Sequence, residues 1–188
     1  MLWQVKIFLM KSVQVFIVLS MLLLSFTSPH DGPVSILFNA NPSGKECIKV
    51  LNNSYEVELL DLINRYRIQN GLEPLRVNKS LMKASRYHAA DMANENYFEH
   101  ATHNRNSHSL QRGISTFKRI GRFYDGFANT ENIGAGYTSP QSVFEGWVNS
   151  PGHKKNLLNK SATHMGVGYY HNASSKYRNY WVFESAAQ

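Results

Sequence analysis

The fold of this chain is decided by residues 139–170, which read SPQSVFEGWVNSPGHKKNLLNKSATHMGVGYY. Two Ser-Pro pairs, beginning at Ser139 and Ser150, each combine a helix-capping residue with a proline suited to the first turn, so each predicts a helix start. The second helix is expected to run through Leu158, with His153 in its first turn. The β-branched and aromatic residues that follow, over 163–170, are typical of a strand.

Toward the N-terminus the periodicity is helical. Apolar residues recur at the spacing of one helix face over 55–70, which predicts a first helix ending at Asn70-Gly71. Asn78 is a suitable N-cap for a second helix that continues to Asn96 and places His88 in or beside the core. The polar stretch Glu99–Ser109 predicts a loop, and a third helix is expected over 110–120.

Strands are predicted on both sides of the two Ser-Pro helices. The run Glu131–Tyr137 is short, apolar and glycine-containing, which suits a strand after a flexible segment over 121–130. A last strand is expected at Tyr177–Glu184, forming a hairpin with Thr163–Tyr170. Helices precede most strands, so the order indicates an α+β fold rather than repeated βαβ units.

The N-terminal part is predicted to be a targeting segment. Lys6 and Lys11 precede the apolar run Val13–Phe26, and small residues follow, which is the pattern of a secretory signal peptide over 1–28. An uncleaved membrane anchor is the alternative, although the apolar run is short for a bilayer span. Residues 29–54 then predict a spacer and residues 55–188 the folded domain. The chain is therefore expected to be secreted, with no stable membrane span after cleavage.

Composition narrows the classes of function. The chain has 188 residues and a formal net charge of +7, which falls to +5 when Lys6 and Lys11 leave with the leader. The remaining basic residues are scattered and no nucleic-acid-binding motif is present, so a nucleic acid partner is not expected. The single cysteine, Cys47, excludes an internal disulfide and a cysteine-rich zinc site. Cys47 is expected to be either an incidental free thiol or a cysteine that pairs between two chains.

Three residues at the edges of predicted elements have suitable chemistry for a metal site: His100, Glu131 and His153. A histidine in the first turn of a helix meets the positive end of the helix dipole, which favours the neutral imidazole that a metal needs. Two neutral histidines and a carboxylate form a competent three-ligand zinc set that leaves a position for water or substrate. Sequence separation leaves open whether they converge, and His-Glu-x-x-His and Gly-x-Ser-x-Gly are both absent.

Several sequence blocks follow one another along the chain: Leu62-Ile-Asn64, Gly71-Leu-Glu-Pro-Leu75, His88-Ala89, Asn96-Tyr-Phe-Glu-His100, Glu131-Asn-Ile133, Gly146-Trp-Val-Asn-Ser-Pro-Gly-His153 and His164-Met-Gly-Val-Gly168. Taken together and in this order, they resemble the CAP superfamily, the SCP-like extracellular proteins. The superfamily unites cysteine-rich secretory proteins, antigen 5 and plant pathogenesis-related proteins. The resemblance covers about residues 55–185, and the scarcity of cysteine is similar to the prokaryotic-type branch.

The resemblance implies a three-layer α-β-α sandwich with a central, mainly antiparallel sheet and a cleft lined by two histidines and two acidic residues. It assigns the cleft histidines to His100 and His153 and one acidic residue to Glu131. The place of the second acidic residue is taken here by Ser150. Glu145 either substitutes for it from a neighbouring turn or is a solvated helix residue.

The function expected from this resemblance is a secreted module whose cleft binds a divalent metal, zinc, together with an undefined small-molecule, lipid or protein ligand. One alternative is a metal-dependent hydrolase in which Glu131 or Glu145 acts as base on metal-bound water. Another is a sterol- or lipid-binding module, which a contiguous apolar cleft would favour. The absence of a recognisable nucleophile–base pair favours binding over catalysis, and the question of catalysis stays open.

Overall fold

The computed structural model describes residues 38–106 and 109–187. The predicted leader, and the spacer as far as residue 37, lie outside this part of the chain. No helix of the described part is both long enough and apolar enough to cross a membrane. The helices are α1 (Asn53–Gln69), α2 (Lys79–Asn94), α3 (Thr116–Phe123), α4 (Pro140–Asn149) and α5 (Pro151–Leu157), and the strands are β1 (Arg76–Val77), β2 (His103–Arg105), β3 (Leu110–Arg112), β4 (Phe127–Ala135), β5 (His164–His171) and β6 (Asn179–Ala187).

The main sheet has the strand order β1-β5-β6-β4, and a separate two-stranded sheet pairs β2 with β3. β5 and β6 form the predicted antiparallel hairpin, β6 pairs antiparallel with β4, and the short β1 is parallel to β5. The sheet is therefore mainly antiparallel, as expected. β4 is an edge strand of this sheet, and its register places Glu131 opposite Glu184 of β6.

Helices cover both faces of the sheet, so the α-β-α sandwich is confirmed. On one face, Trp181 and Phe183 of β6 pack in a buried cluster with Leu59 of α1 and Trp147 of α4. On the other face, Val182 of β6 packs against side chains of α2. Alternation along β6 follows from the two-residue period of a strand, and it places Glu184 on the α2 face.

Two glycines allow α2 to lie directly on β5. A Cβ on Gly166 would lie 2.2 Å from the backbone carbon of Leu81, and one on Gly168 would lie 2.3 Å from that of Ser85. A side chain at either position would therefore push the helix away from the sheet. The Gly-Val-Gly block thus has a packing role in which Val167 faces the opposite core.

The predicted helix starts are confirmed by their caps. The Asn78 side chain accepts hydrogen bonds from the backbone of Ser80 and Leu81. Ser139 and Ser142 form a reciprocal capping box, with Pro140 in the first turn of α4, and Ser150 is the N-cap of α5. The Asn78 and Ser139 side chains satisfy backbone N–H groups that have no partner inside the helix, whereas Ser150 makes no side-chain cap hydrogen bond.

The region between α2 and β4 differs from the prediction. The helix expected over 110–120 begins at Thr116, because Leu110–Arg112 instead pairs as β3 with His103–Arg105 inside the predicted loop. β4 also begins earlier than expected, at Phe127, within the stretch predicted to be flexible. Both errors arise from strand pairing, which local periodicity does not report: β3 pairs with the preceding β2, and the start of β4 pairs with the distant β6.

The described part of the predicted spacer is packed against the domain. Phe38 and Ile48 belong to a cluster with Tyr87 of α2, and the carbonyl of Ala40 accepts a hydrogen bond from Thr102 Oγ1 at 2.5 Å. Gly44 approaches the backbone of Arg122 closely enough that a Cβ would not fit. From Phe38 onward, this stretch is therefore part of the folded unit rather than a free linker.

Candidate functional site

The centre of the candidate site is a hydrogen bond between His100 and Glu131. His100 lies between α2 and β2, and Glu131 lies in β4. The distance between His100 Nδ1 and Glu131 Oε1 is 2.7 Å; the histidine side chain is 52% exposed and the carboxylate is buried. The structure therefore brings together two of the three predicted site residues. Among the described residues, His100 Nε2 has no hydrogen-bond partner and is the ring nitrogen left available.

A buried arginine forms hydrogen bonds to both members of this pair. Arg119 lies on the inward face of α3, and one of its terminal nitrogens bonds both Glu131 Oε2 and, at 3.0 Å, Glu184 Oε1. Its other terminal nitrogen donates to the backbone carbonyl of His100 at 2.7 Å. One guanidinium thus connects β4, β6 and the loop that carries His100.

Sequence reasoning missed Arg119 and Glu184. Arg119 could have been noticed from its position, since it lies beside Ile120 on a helix face that also includes Phe123. A cation on an inward helix face needs an anion near it. The signal for Glu184 was a charged residue directly after the apolar run of β6. Neither signal identifies its partner without the strand register.

The two glutamate side chains that bond Arg119 differ in protonation, because their pKa values are shifted in opposite directions. Burial disfavours ionisation of Glu131, but the Arg119 charge and the hydrogen bond from His100 outweigh burial and hold its pKa at about 2. Burial dominates at Glu184 and raises its pKa to about 8, against the attraction of Arg119. At neutral pH the group therefore contains one buried cation, one buried anion and one neutral carboxyl group.

The two histidines also differ in their preferred charge. The hydrogen bond to Glu131 raises the pKa of His100 despite partial burial. Burial, followed by the charge of His100, lowers the pKa of His153. His153 is half-buried in the first turn of α5, where the helix dipole also favours the neutral ring.

Two asparagines fasten α5 to the edge of β4. Asn132 Nδ2 donates to the backbone carbonyl of His153 at 3.0 Å. Asn156 Nδ2 donates to the carbonyl of Glu131 at 3.0 Å and to Asn132 Oδ1 at 2.8 Å. The helix that carries His153 is thus joined to the strand residues that carry Glu131. Asn132 therefore has a backbone-fastening role.

The far end of α5 is held by Arg67 of α1. This buried side chain donates to the backbone carbonyls of Leu157 and Asn159, both at 2.9 Å, and to that of Glu73 at 3.0 Å. Carbonyl groups at a helix C-terminus lack partners inside the helix, and a cation is a favourable donor to them. α5 is therefore fixed at both ends.

Within the described residues, no group of three or more His, Cys, Asp or Glu is placed to hold a metal ion. Both oxygens of Glu131 are already bonded, one to His100 and one to Arg119. The residues that fit a metal are the histidines: His100 offers a free Nε2 oriented by a carboxylate, and the environment of His153 favours the neutral ring. Glu131 fits the role of an orienting partner better than that of a direct ligand.

Glu145, the other acidic candidate, lies on the exposed side of α4 and accepts a hydrogen bond from Gln141 Nε2 at 2.6 Å. Its surroundings match those of a solvated helix residue.

His88 is fully buried, and its Nε2 lies 3.0 Å from the carbonyl of Glu99. It is a core histidine, as predicted. Cys47 is exposed and free in the described part of the chain.

Comparison with known proteins gives the same family as the sequence blocks. The model of the cysteine-rich secretory protein family, CAP, matches residues 60–185. The Bacillus subtilis protein YkwD is 36% identical over 122 residues, which are 65% of this chain and 45% of YkwD. The Bacillus subtilis membrane protein YlbC is 34% identical over 122 residues, 64% of this chain and 33% of YlbC. This chain therefore spans less than half the length of either curated relative.

Two solved structures have a similar fold. An extracellular protein containing an SCP domain from Bacillus anthracis is 29% identical, with a TM-score of 0.59 over 73% of this chain and 42% of that one. An outer surface protein of Borrelia burgdorferi has a TM-score of 0.62 over 76% of this chain and 99% of its own, and its 19% identity supports the fold alone. The bacterial relatives support the prokaryotic-type branch. Since the family match extends over residues 60–185, well over half of the chain, this protein belongs to the cysteine-rich secretory protein (CAP) family.

Proposed function

We propose that this protein is a secreted CAP-domain binding module that holds a divalent cation, zinc, through His100 and His153 and presents it to an extracellular ligand. The observation that carries the proposal is the 2.7 Å contact between His100 Nδ1 and Glu131 Oε1. A histidine that donates one ring N–H to a carboxylate presents its other nitrogen as a better oriented and more basic metal ligand.

The charges around the pair support this role. Glu131 stays ionised because Arg119 lies against its second oxygen, so it remains an acceptor for the His100 N–H. His153 needs no deprotonation near neutral pH, because its pKa is lowered by burial and by His100. A bound zinc ion would supply a Lewis acid with positions left for water and ligand. Binding requires His100 to release a proton, so zinc affinity is expected to weaken as pH falls.

The same contacts argue against the hydrolase alternative. A general base must have an oxygen free to accept a proton from water, and its pKa should lie near the working pH. Both oxygens of Glu131 are bonded, and its pKa is held at about 2. Glu145 is exposed and bonded to Gln141. Neither carboxylate has the surroundings of a general base, which supports binding rather than turnover.

The lipid-binding alternative required a contiguous apolar cleft. The cavity beside α5, of about 410 Å³, is lined mainly by polar and charged side chains. A polar lining suits a hydrated or charged ligand better than a sterol, and the separate cavity of about 320 Å³ lined by Phe117 and Phe127 includes neither proposed histidine ligand. Export is supported by the predicted leader, and the relative from Bacillus anthracis is described as extracellular.

A crystal structure with zinc soaked into it would test the proposed ligands. We expect zinc within bonding distance of His100 Nε2 and of a His153 ring nitrogen, at roughly 2.0–2.1 Å, with Glu131 still bonded to His100 Nδ1. A crystal of the His153→Ala variant soaked in the same way provides the control. Zinc held by other residues, or occupying the same place without His153, would contradict the proposal.

A further inference from the structure

Two exposed phenylalanines, Phe117 and Phe127, line the same surface cavity. Phe117 of α3 is 54% exposed and Phe127, at the start of β4, is 73% exposed; no large apolar side chain in the described part of the chain is more exposed than Phe127. Burying a phenylalanine side chain is favourable, so two left in water at one place indicate a partner. Together with Gly121, Gly126, Ala128 and Asn129 they line a cavity of about 320 Å³.

Helix α3 places cations beside these rings. Successive residues of a helix are separated by about 100°, so Phe117 and Gly121 form one strip and Lys118 and Arg122 form the next. All four residues are exposed, while Arg119 and Ile120 on the opposite side are buried. The outward half of α3 is therefore apolar along one strip and cationic along its neighbour.

Cations also flank the rings on their other side. Asn129 lines both this cavity and the second one, to which Lys155 and Lys160 contribute. Residues 112–160 contain seven Lys or Arg, of which Arg119 is buried, and three Asp or Glu, of which Glu131 is buried. The acidic residue nearest the rings in sequence is the exposed Asp125. The rings therefore lie within a predominantly cationic surface.

We propose that this Phe117–Phe127 surface, comprising both phenylalanines with Lys118, Gly121 and Arg122, docks on an anionic lipid bilayer. The phenyl rings enter the boundary between headgroups and acyl chains, and the flanking cations meet lipid phosphates. Exposed aromatic rings combined with cations suit such an interface, whereas a soluble polyanion would leave the rings in water. The docking is peripheral, and it does not depend on metal binding at the His100 cleft.

Vesicle co-sedimentation tests the proposal. Because the apolar run Val13–Phe26 would itself enter a bilayer, the assay uses the chain that begins after the predicted leader and retains the compact unit Ile36–Gln188. Circular dichroism verifies its folding. We expect partitioning onto mixed phosphatidylcholine–phosphatidylglycerol vesicles, little onto phosphatidylcholine alone, and weakening with salt. Phe127→Ala should reduce partitioning about tenfold or more, as should Lys118→Gln combined with Arg122→Gln.

Matched controls lie elsewhere on the protein. Ile68→Ala removes a side chain that is 58% exposed on α1, and Lys79→Gln with Lys83→Gln removes two exposed cations from α2. Both should leave partitioning unchanged. Equal loss in the controls, no binding to anionic vesicles, or binding insensitive to Phe127→Ala would overturn the proposal. A dimer in light scattering that dissociates on Phe127→Ala would also overturn it, by showing that a second copy covers the surface.

Discussion

Glu131 and Glu184 face each other across β4 and β6, and both hydrogen-bond the same terminal nitrogen of Arg119. Two buried carboxyl groups with one cation between them cannot both ionise cheaply, because only one negative charge is balanced. The negative charge lies on Glu131, because its carboxylate also accepts a hydrogen bond from His100. The pair is therefore asymmetric, and its two members should respond differently to the same substitution.

Glutamine substitution tests this asymmetry. Glu131→Gln removes the anion paired with the buried Arg119, and we expect it to lower the unfolding free energy by less than the roughly 3–5 kcal/mol of a fully broken buried ion pair, because Glu184 can then ionise beside Arg119. Glu184→Gln replaces a neutral carboxyl group by a neutral amide, so at neutral pH we expect no loss of unfolding free energy. Urea denaturation of both variants measures the difference. Equal destabilisation by the two substitutions would contradict the assignment of charge.

The pH dependence of stability should also change in Glu184→Gln. Between the ordinary glutamate pKa of 4.5 and about 8, the folded protein retains a proton on Glu184 that the unfolded chain has released. The folded state binds more protons, so Glu184 lowers the unfolding free energy as pH rises, by up to roughly 1.4 kcal/mol per pH unit. The stability of the variant relative to wild type should therefore increase with pH across this range.

Glu131 has the opposite sign. Because its pKa is held at about 2, its contribution to the unfolding free energy is fully present above pH 4.5 and is lost as pH falls from 4.5 toward about 2. Denaturation curves at several pH values separate the two groups, since only the Glu184 contribution disappears in Glu184→Gln. A stability difference between variant and wild type that does not vary with pH would show that Glu184 is ionised in the folded protein.

The contact between α2 and β5 should not tolerate a methyl group. A Cβ at Gly168 would lie 2.3 Å from the backbone carbon of Ser85, and backbone cannot rotate away as a side chain can. We expect Gly168→Ala to lower the unfolding free energy by about 2 kcal/mol or more. Gly152→Ala in α5, where nothing lies within 4 Å of the added Cβ, is the control and should change stability by less than about 0.5 kcal/mol. Similar values for both variants would contradict this packing account.

Local chemistry predicted much of this fold. Caps and prolines act on the adjacent residues, so Asn78, Ser139 and Ser150 could be identified as helix starts from the sequence. The short β3 could not, because Leu110–Arg112 becomes a strand only by pairing with β2. A helix start at Leu110 is therefore wrong, while Thr116–Ile120 do belong to α3.

The candidate site divides in the same way. His100 and Glu131 were identified from sequence blocks, and the structure joins them. Arg119 and Glu184 are separated by 65 residues along the chain and meet only through the strand register and the docking of α3. Their contact depends on tertiary structure, so no local sequence pattern identifies it.

Calorimetric titration with zinc tests whether His100 and His153 together bind the ion. Wild type should bind zinc stoichiometrically, and His100→Ala combined with His153→Ala should abolish this binding while circular dichroism shows the fold unchanged. His164→Ala combined with His171→Ala, two histidines of β5, should bind as wild type does. Unchanged stoichiometric binding by the His100/His153 variant would show that these two histidines are not the zinc ligands.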